Sequence, residues 1–299
     1  MKNFVFGHCS RSSQFEGHPA FTASVQGPED LTIWNYPGGE VGVQFMIEPD
    51  RNALIAKIRS SDDIMALLQI ASMMENKRDL ILPYFPYARQ DRVTGSMPFA
   101  LGCVVDLIDG LGFKNVWCLD PHSPVLGARW RSTKFNVIGT SGLDLELDVL
   151  LHSEKTAGRK VLLMAPDAGA IKRVAVKADI HKIPMTNAWK VRDPSTGKLS
   201  LSLKKEQIPE GTDTVIVLDD ICDGGSTFQE LAKAVRAIDP KISLDLLVSH
   251  GIFSGAAVSK LLGYRTVVTT DSFHDDDAYN DLRVKFSDRG THLIVCKAV

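Results

Sequence analysis

Residues 215–228 read VIVLDDICDGGSTF. An apolar run ends in two aspartates, a third aspartate follows, and a Gly-Gly-Ser-Thr turn comes next. A short continuous apolar run predicts a strand buried on both faces, as in a parallel sheet. Beyond the turn, Leu231, Ala234, Val235 and Ile238 keep i, i+3, i+4, i+7 spacing. The turn therefore opens a helix, which Asp239-Pro240 stops. A Gly/Ser/Thr turn between strand and helix gathers backbone N–H groups and hydroxyls around one point, an anion cradle. It is neither a Walker loop nor a dinucleotide fingerprint, because neither glycine spacing is present. The acids need another partner. Pleat alternation sends Asp219 and Asp220 to opposite faces, where one or both can hold a vicinal diol. The stretch reads as a ribose-phosphate site. Asp223, Gly224, Gly225, Ser226 and Thr227 surround the phosphate, and Asp219 and Asp220 face the sugar.

The same alternation extends outward. LILPYFPYA (80–88) and VWCLD (116–120) read as buried strands of a first half. KVLLMAPDA (160–168), TVIVLDD (214–220), ISLDLLVSH (242–250) and RTVVTTD (265–271) do so in a second. Helix patterns lie between them. Ile64, Leu67, Leu68 and Ala71 form one such face, with Ser60, Ser61 and Asp62 upstream as caps. This predicts an α/β chain of two similar lobes, 1–145 and 146–299, each a mainly parallel sheet flanked by helices. A length of 299 residues suits two ordinary domains. The polar stretch 190–213 predicts a loop or β-hairpin.

Bulk properties narrow the class. A net charge of −2 offers no field for nucleic acid or an anionic membrane. Five cysteines without a CxxC pair argue for a reducing compartment and against disulfides or zinc. No apolar run is long enough to span a membrane. A cytoplasmic enzyme is the expectation.

Two acids before a Gly/Thr turn resemble the ribose-phosphate motif of the phosphoribosyltransferase fold. LPYFPYARQDR (82–92) is more specific and resembles the PYxxYARQDR segment of the ribose-phosphate diphosphokinases, or PRPP synthetases. There Arg89 and Arg92 offer bidentate forks for polyphosphate, and Gln90 a flexible amide, for ATP. CLDPHSPV (118–125) is similar to the family's DLH segment, with Pro121 in place of leucine. That resemblance puts His122 beside magnesium and the ATP phosphates. APDAGAIKR (165–173) resembles SPDxGGxxR, with Ala170 for the second glycine. It implies that Asp167 contacts Mg²⁺ or ribose. WKVRDP (189–194) resembles the flexible-loop KRR segment and gives Lys190 and Arg192 the role of catalytic cations. NYPGGEVGVQF (35–45) is similar to the adenine-binding FSDGE loop; Tyr36 would stack on the base and Glu40 is retained, while Gly38 replaces an aspartate. SHGIFSGAA (249–257) resembles THxxFSGxA and is assigned to structure. From 282 onward, the chain lacks the family's usual last amphipathic helix.

The resemblance implies transfer of the β,γ-diphosphate of ATP to the anomeric hydroxyl of ribose 5-phosphate, with Mg²⁺, giving PRPP and AMP. It also implies a homodimer or larger homo-oligomer. Two departures bear on the acceptor. The family's DTGGT loop is Asp223-Gly224-Gly225-Ser226-Thr227 here, so a threonine becomes glycine and a glycine becomes serine. A roomier mouth would admit ADP-ribose, a reaction suited to NAD salvage. A non-catalytic regulatory homologue is the third reading; it would have lost Lys190, Arg192 or His122, and all three are present.

Overall fold

The computed structural model describes residues 4–10, 20–23, 31–45, 52–192 and 199–299. They form two compact units, Met1–Thr140 with Ala298–Val299, and Ser141–Lys297. The second unit thus begins at the first residue of a helix, a few residues before the expected break at 145, and the last two residues return to the first.

Unit 1 contains β1 (Phe4–Ser10), β2 (Ala20–Ala23), β3 (Leu31–Asn35), β4 (Val41–Phe45), β5 (Ala53–Ala56), α1 (Ser61–Met73), β6 (Asp79–Leu82), α2 (Ala100–Asp109), β7 (Asn115–Leu119), α3 (Val125–Ala128) and β8 (Lys134–Ile138). Its main sheet has the order β2-β1-β5-β6-β7-β8. The run from β5 to β8 is parallel, and β1 lies antiparallel to both neighbours. Helix α1 starts with reciprocal hydrogen bonds: Ser60 Oγ accepts from the Asp63 N–H, and Asp63 Oδ2 accepts from the Ser60 N–H. Its buried face is Ala66, Leu67, Ile70 and Ala71. Ile64 and Leu68 of the expected stripe are only half-buried, so the helix is rotated about one position from the pattern.

Unit 2 contains α4 (Ser141–Thr156), β9 (Val161–Ala165), α5 (Ile171–His181), β10 (Met185–Asn187), β11 (Trp189–Arg192), β12 (Leu199–Ser202), β13 (Thr214–Cys222), α6 (Ser226–Ile238), β14 (Ser243–Gly251), α7 (Ala257–Lys260), β15 (Thr266–Thr270), α8 (Asp276–Ser287) and β16 (His292–Cys296). The sheet order is β10-β9-β13-β14-β15-β16, parallel throughout. The opening run shows why its strands read as unbroken apolar segments. Val215 and Val217 enter the core under α6 and α8, while Ile216 and Leu218 enter the core under α4 and α5. Both faces are covered, so alternation of polar and apolar residues disappears.

Two expectations need adjustment. The 80–88 run is a strand only to Leu82, after which a tight turn takes over. The C-terminal segment does hold a helix, α8, whose Tyr279, Leu282 and Phe286 are buried, and it ends in a sixth strand, β16. Its helix pattern was concealed by Asp and Arg on the exposed face. The polar stretch after Lys190 is a hairpin of β11 and β12; residues 193–198 lie outside the described residues. Among the described residues no helix is long and apolar enough to cross a membrane.

Candidate functional site

In unit 2 the chemistry gathers where β9, β13 and β14 end. β13 delivers Asp219 and Asp220, and the chain then turns through Asp223, Gly224 and Gly225 into α6. Gly225 adopts φ +74°, and an added Cβ would meet the Ala257 backbone at 3.3 Å. Only glycine combines that conformation with so close a neighbour. No side chain caps the start of α6. Its first N–H groups and positive dipole end face the loop, as an anion site requires.

The FSGAA segment holds this loop in place. The N–H groups of Ile252 and Phe253 both donate to the Cys222 carbonyl, at 2.9 and 3.1 Å. Ser254 Oγ donates to Asp223 Oδ1 at 2.6 Å. Lys260 Nζ donates to Ser226 Oγ at 2.8 Å. The segment is structural, as its small residues implied, and Ser254 and Lys260 are polar partners that the motif match passed over.

Asp219 and Asp220 depart from the expected opposite orientation. Asp219 Oδ1 accepts the Asp220 N–H at 2.9 Å, and the two carboxyl groups are hydrogen-bonding neighbours. Burial pushes the Asp219 carboxyl well above the usual carboxylate range; repulsion from Asp220 adds to this, and Asp167 adds a smaller push in the same direction. Asp167, at the end of β9, accepts the Gly169 N–H at 2.9 Å. Three hard oxygen-bearing side chains therefore act on one another in this place. Among the described residues no group of three or more His, Cys, Asp or Glu forms a ready-made metal cage. Lys190 and Arg192 occupy β11, where they pair in register with Leu201 and Leu199.

In unit 1 the ARQDR segment follows a buried turn. Pro83, Tyr84, Phe85, Pro86 and Ala88 are buried, while Arg89, Gln90 and Arg92 are exposed. Tyr87 takes φ +59°, and its carbonyl accepts the Gln90 N–H at 2.9 Å. Phe85 meets Trp130 edge-on, and Trp130 stacks on Phe135, giving the turn a rigid floor. Asp91, between the cations, is buried and escaped notice in the sequence. Its burial opposes ionisation. The hydrogen bond that Arg92 Nε donates at 3.0 Å, together with the positive charge of Arg92 and His122, outweighs that and holds the carboxyl below its usual range. Asp91 thereby links the arginine segment to exposed His122. The signal available was an acid flanked by cations directly after a buried turn.

The β3–β4 hairpin carries Tyr36 and Glu40 at its tip. Tyr36 and Glu40 close the turn through the Tyr36 N–H and the Glu40 carbonyl, at 2.8 Å. Two side chains of the α1 region fix the hairpin: Asp62 accepts from Asn35 at 2.9 Å, and Gln69 donates to the Val41 carbonyl at 2.7 Å. Trp34 packs edge-on to Tyr36, which is 49% exposed, so an aromatic face is presented outward.

No family model matches the chain. Over 239 residues it is 24% identical to the ribose-phosphate pyrophosphokinase of Pyrococcus furiosus, covering 78% of this chain and 81% of that protein. Over 241 residues it is 27% identical to ribose-phosphate pyrophosphokinase 2 of Archaeoglobus fulgidus, covering 79% and 82%. The crystal structure of phosphoribosylpyrophosphate synthetase from Mycobacterium smegmatis superposes with a TM-score of 0.68 at 22% identity, over 89% of this chain and 85% of that one.

The chain is a relative of the ribose-phosphate pyrophosphokinases. It has the two-lobed phosphoribosyltransferase-type fold, and the curated relatives it resembles are pyrophosphokinases. It carries an arginine segment in unit 1 and an acid-plus-glycine loop in unit 2.

Proposed function

We propose that this pyrophosphokinase transfers the β,γ-diphosphate of ATP to the anomeric hydroxyl of ribose 5-phosphate, giving PRPP and AMP. The observation that carries the reading is the pairing of Asp219 and Asp220 with the glycine loop that opens α6. The loop suits the 5-phosphate and the acids suit the ribose diol. In the reaction the anomeric oxygen attacks the β-phosphorus and loses its proton. The bond from the β-phosphorus to the α,β-bridging oxygen breaks, and AMP leaves with that oxygen. Such a transfer asks mainly for positioning and charge compensation.

Arg89, Gln90 and Arg92 then serve the ATP phosphates, with exposed His122 beside them, and Tyr36 and Glu40 serve the adenine. Lys190 and Arg192 supply charge to the transferring group from their hairpin. Asp167 and Asp219 fit Mg²⁺, because a bound cation relieves the carboxylate repulsion described above. Mg²⁺ held there would offset phosphate charge and polarise the transferring group.

Gly224 favours a second reading. A Cβ at this position would have nothing nearer than Ser254 Oγ at 4.0 Å, so the loop leaves space where the family has a threonine. A substituted phosphate such as that of ADP-ribose suits this space. Incubation with ATP, Mg²⁺ and either acceptor, read by mass spectrometry, tests both. PRPP with AMP is the expected product pair. Product from ADP-ribose alone selects the second reading, and no product from either acceptor overturns both.

A further inference from the structure

Lys260 sits on the last turn of α7, and its ammonium reaches Ser226, the first residue of α6, at 2.8 Å. The approach is enforced by packing. A Cβ on Gly225 would lie 3.3 Å from Ala257 and 3.4 Å from the Lys260 Cβ, so α7 rests directly on the loop. Among the described residues no carboxylate pairs with Lys260. A half-buried cation that faces a hydroxyl inside an anion loop, with no acid to neutralise it, is matched to an anionic ligand. An ammonium group only donates. Ser226 Oγ must therefore accept from it, which leaves the hydroxyl proton to be donated elsewhere.

We propose that Lys260 is a specificity-determining cation for the acceptor. It recognises the phosphate on C5 of the ribose and turns the Ser226 hydroxyl toward it. This rests on the acceptor reading given above and adds a residue to it. Backbone N–H groups and a helix dipole supply partial charges; Lys260 brings a whole one to the same loop from a different element.

Calorimetric titration of the full chain with ribose 5-phosphate, ADP-ribose and unphosphorylated ribose tests this without requiring turnover. In Lys260→Ala and Lys260→Gln, affinity for at least one of the two phosphorylated sugars should fall about 10- to 100-fold, as for loss of a charged hydrogen bond. The ribose titration and the thermal midpoint should not move, and Lys260→Arg should restore most of the affinity. Wild-type-like binding of both phosphorylated sugars by the Ala and Gln variants overturns the proposal and leaves the acceptor reading standing. An equal loss for unphosphorylated ribose also overturns it. If the wild-type protein binds neither phosphorylated sugar and forms no product, the acceptor reading falls, and the assignment of Lys260 falls with it.

Discussion

Asp219 Oδ1 accepts the backbone N–H of Asp220 at 2.9 Å, which crowds two carboxyl groups onto the last residues of one strand. Burial and the neighbouring acids raise the Asp219 pKa from its ordinary 3.8. The native state therefore binds this proton more tightly than the unfolded chain does. The associated stability is fully present below about pH 4 and is lost as pH rises through the raised value. Asp219→Asn keeps an acceptor for the Asp220 N–H and removes the charge. It should be more stable than wild type at pH 7 and equal to it near pH 4, while acceptor affinity drops. Urea melts across that range read the first effect, and titration with ribose 5-phosphate reads the second. A variant no more stable at pH 7 contradicts the account.

The two loop glycines should respond differently. Gly225→Ala forces a side chain into φ +74° against the Ala257 backbone, at a cost of about 1–3 kcal/mol. Gly224→Ala enters open space and should stay within about 0.5 kcal/mol of wild type. Chemical denaturation of both variants measures the contrast. Equal destabilisation would mean that the loop is not held by α7.

At the opposite ends of the unit 2 strands, Arg265 bridges two buried acids, Asp245 and Glu154. Asp245 is fully buried and also accepts the Thr266 N–H at 3.1 Å. Arg265→Ala leaves both acids without their main cation and should cost about 3–5 kcal/mol. The KM values of the protein that remains folded should not change, because this cluster lies away from the strand ends that carry the loop. A loss under about 1 kcal/mol would place the pair among weak surface bridges.

Lys190→Ala tests the hairpin. If the residue compensates charge only during transfer, kcat should fall by about 10²–10³ with little change in either KM. Steady-state kinetics with ATP and ribose 5-phosphate decides this, and normal turnover removes Lys190 from the reaction.

Much of unit 2 was legible in the sequence because its strands are buried on both faces and announce themselves by apolar runs. The run at 215–218 divides residue by residue between two cores, which no polar alternation could have imitated. Elements that draw on distant partners were harder to read. Helix α8 opens on the acidic run Asp275–Asp277, and the mostly charged and polar residues around its buried Tyr279, Leu282 and Phe286 mask an otherwise regular i, i+3, i+7 spacing. At the site, motif matching located the loop and its acids, but it could not show that Asp219 and Asp220 meet. Strand alternation sets where a side chain starts, and hydrogen bonding sets where its carboxyl ends. Lys260 was invisible for a related reason. It lies 34 residues from Ser226, and only the packing of α7 on Gly225 brings them together.

Ala298 packs in a small core with Ile81, Leu119 and Ile138, all from unit 1. During synthesis that core must wait. Its other three members are made before Ser141, but the fourth emerges only after the whole of Ser141–Lys297 has been translated. Unit 1 cannot be completed on the ribosome ahead of unit 2. A fragment cut at the boundary between the units would carry an unfilled notch over Ile81, although no residue of its own sheet was removed.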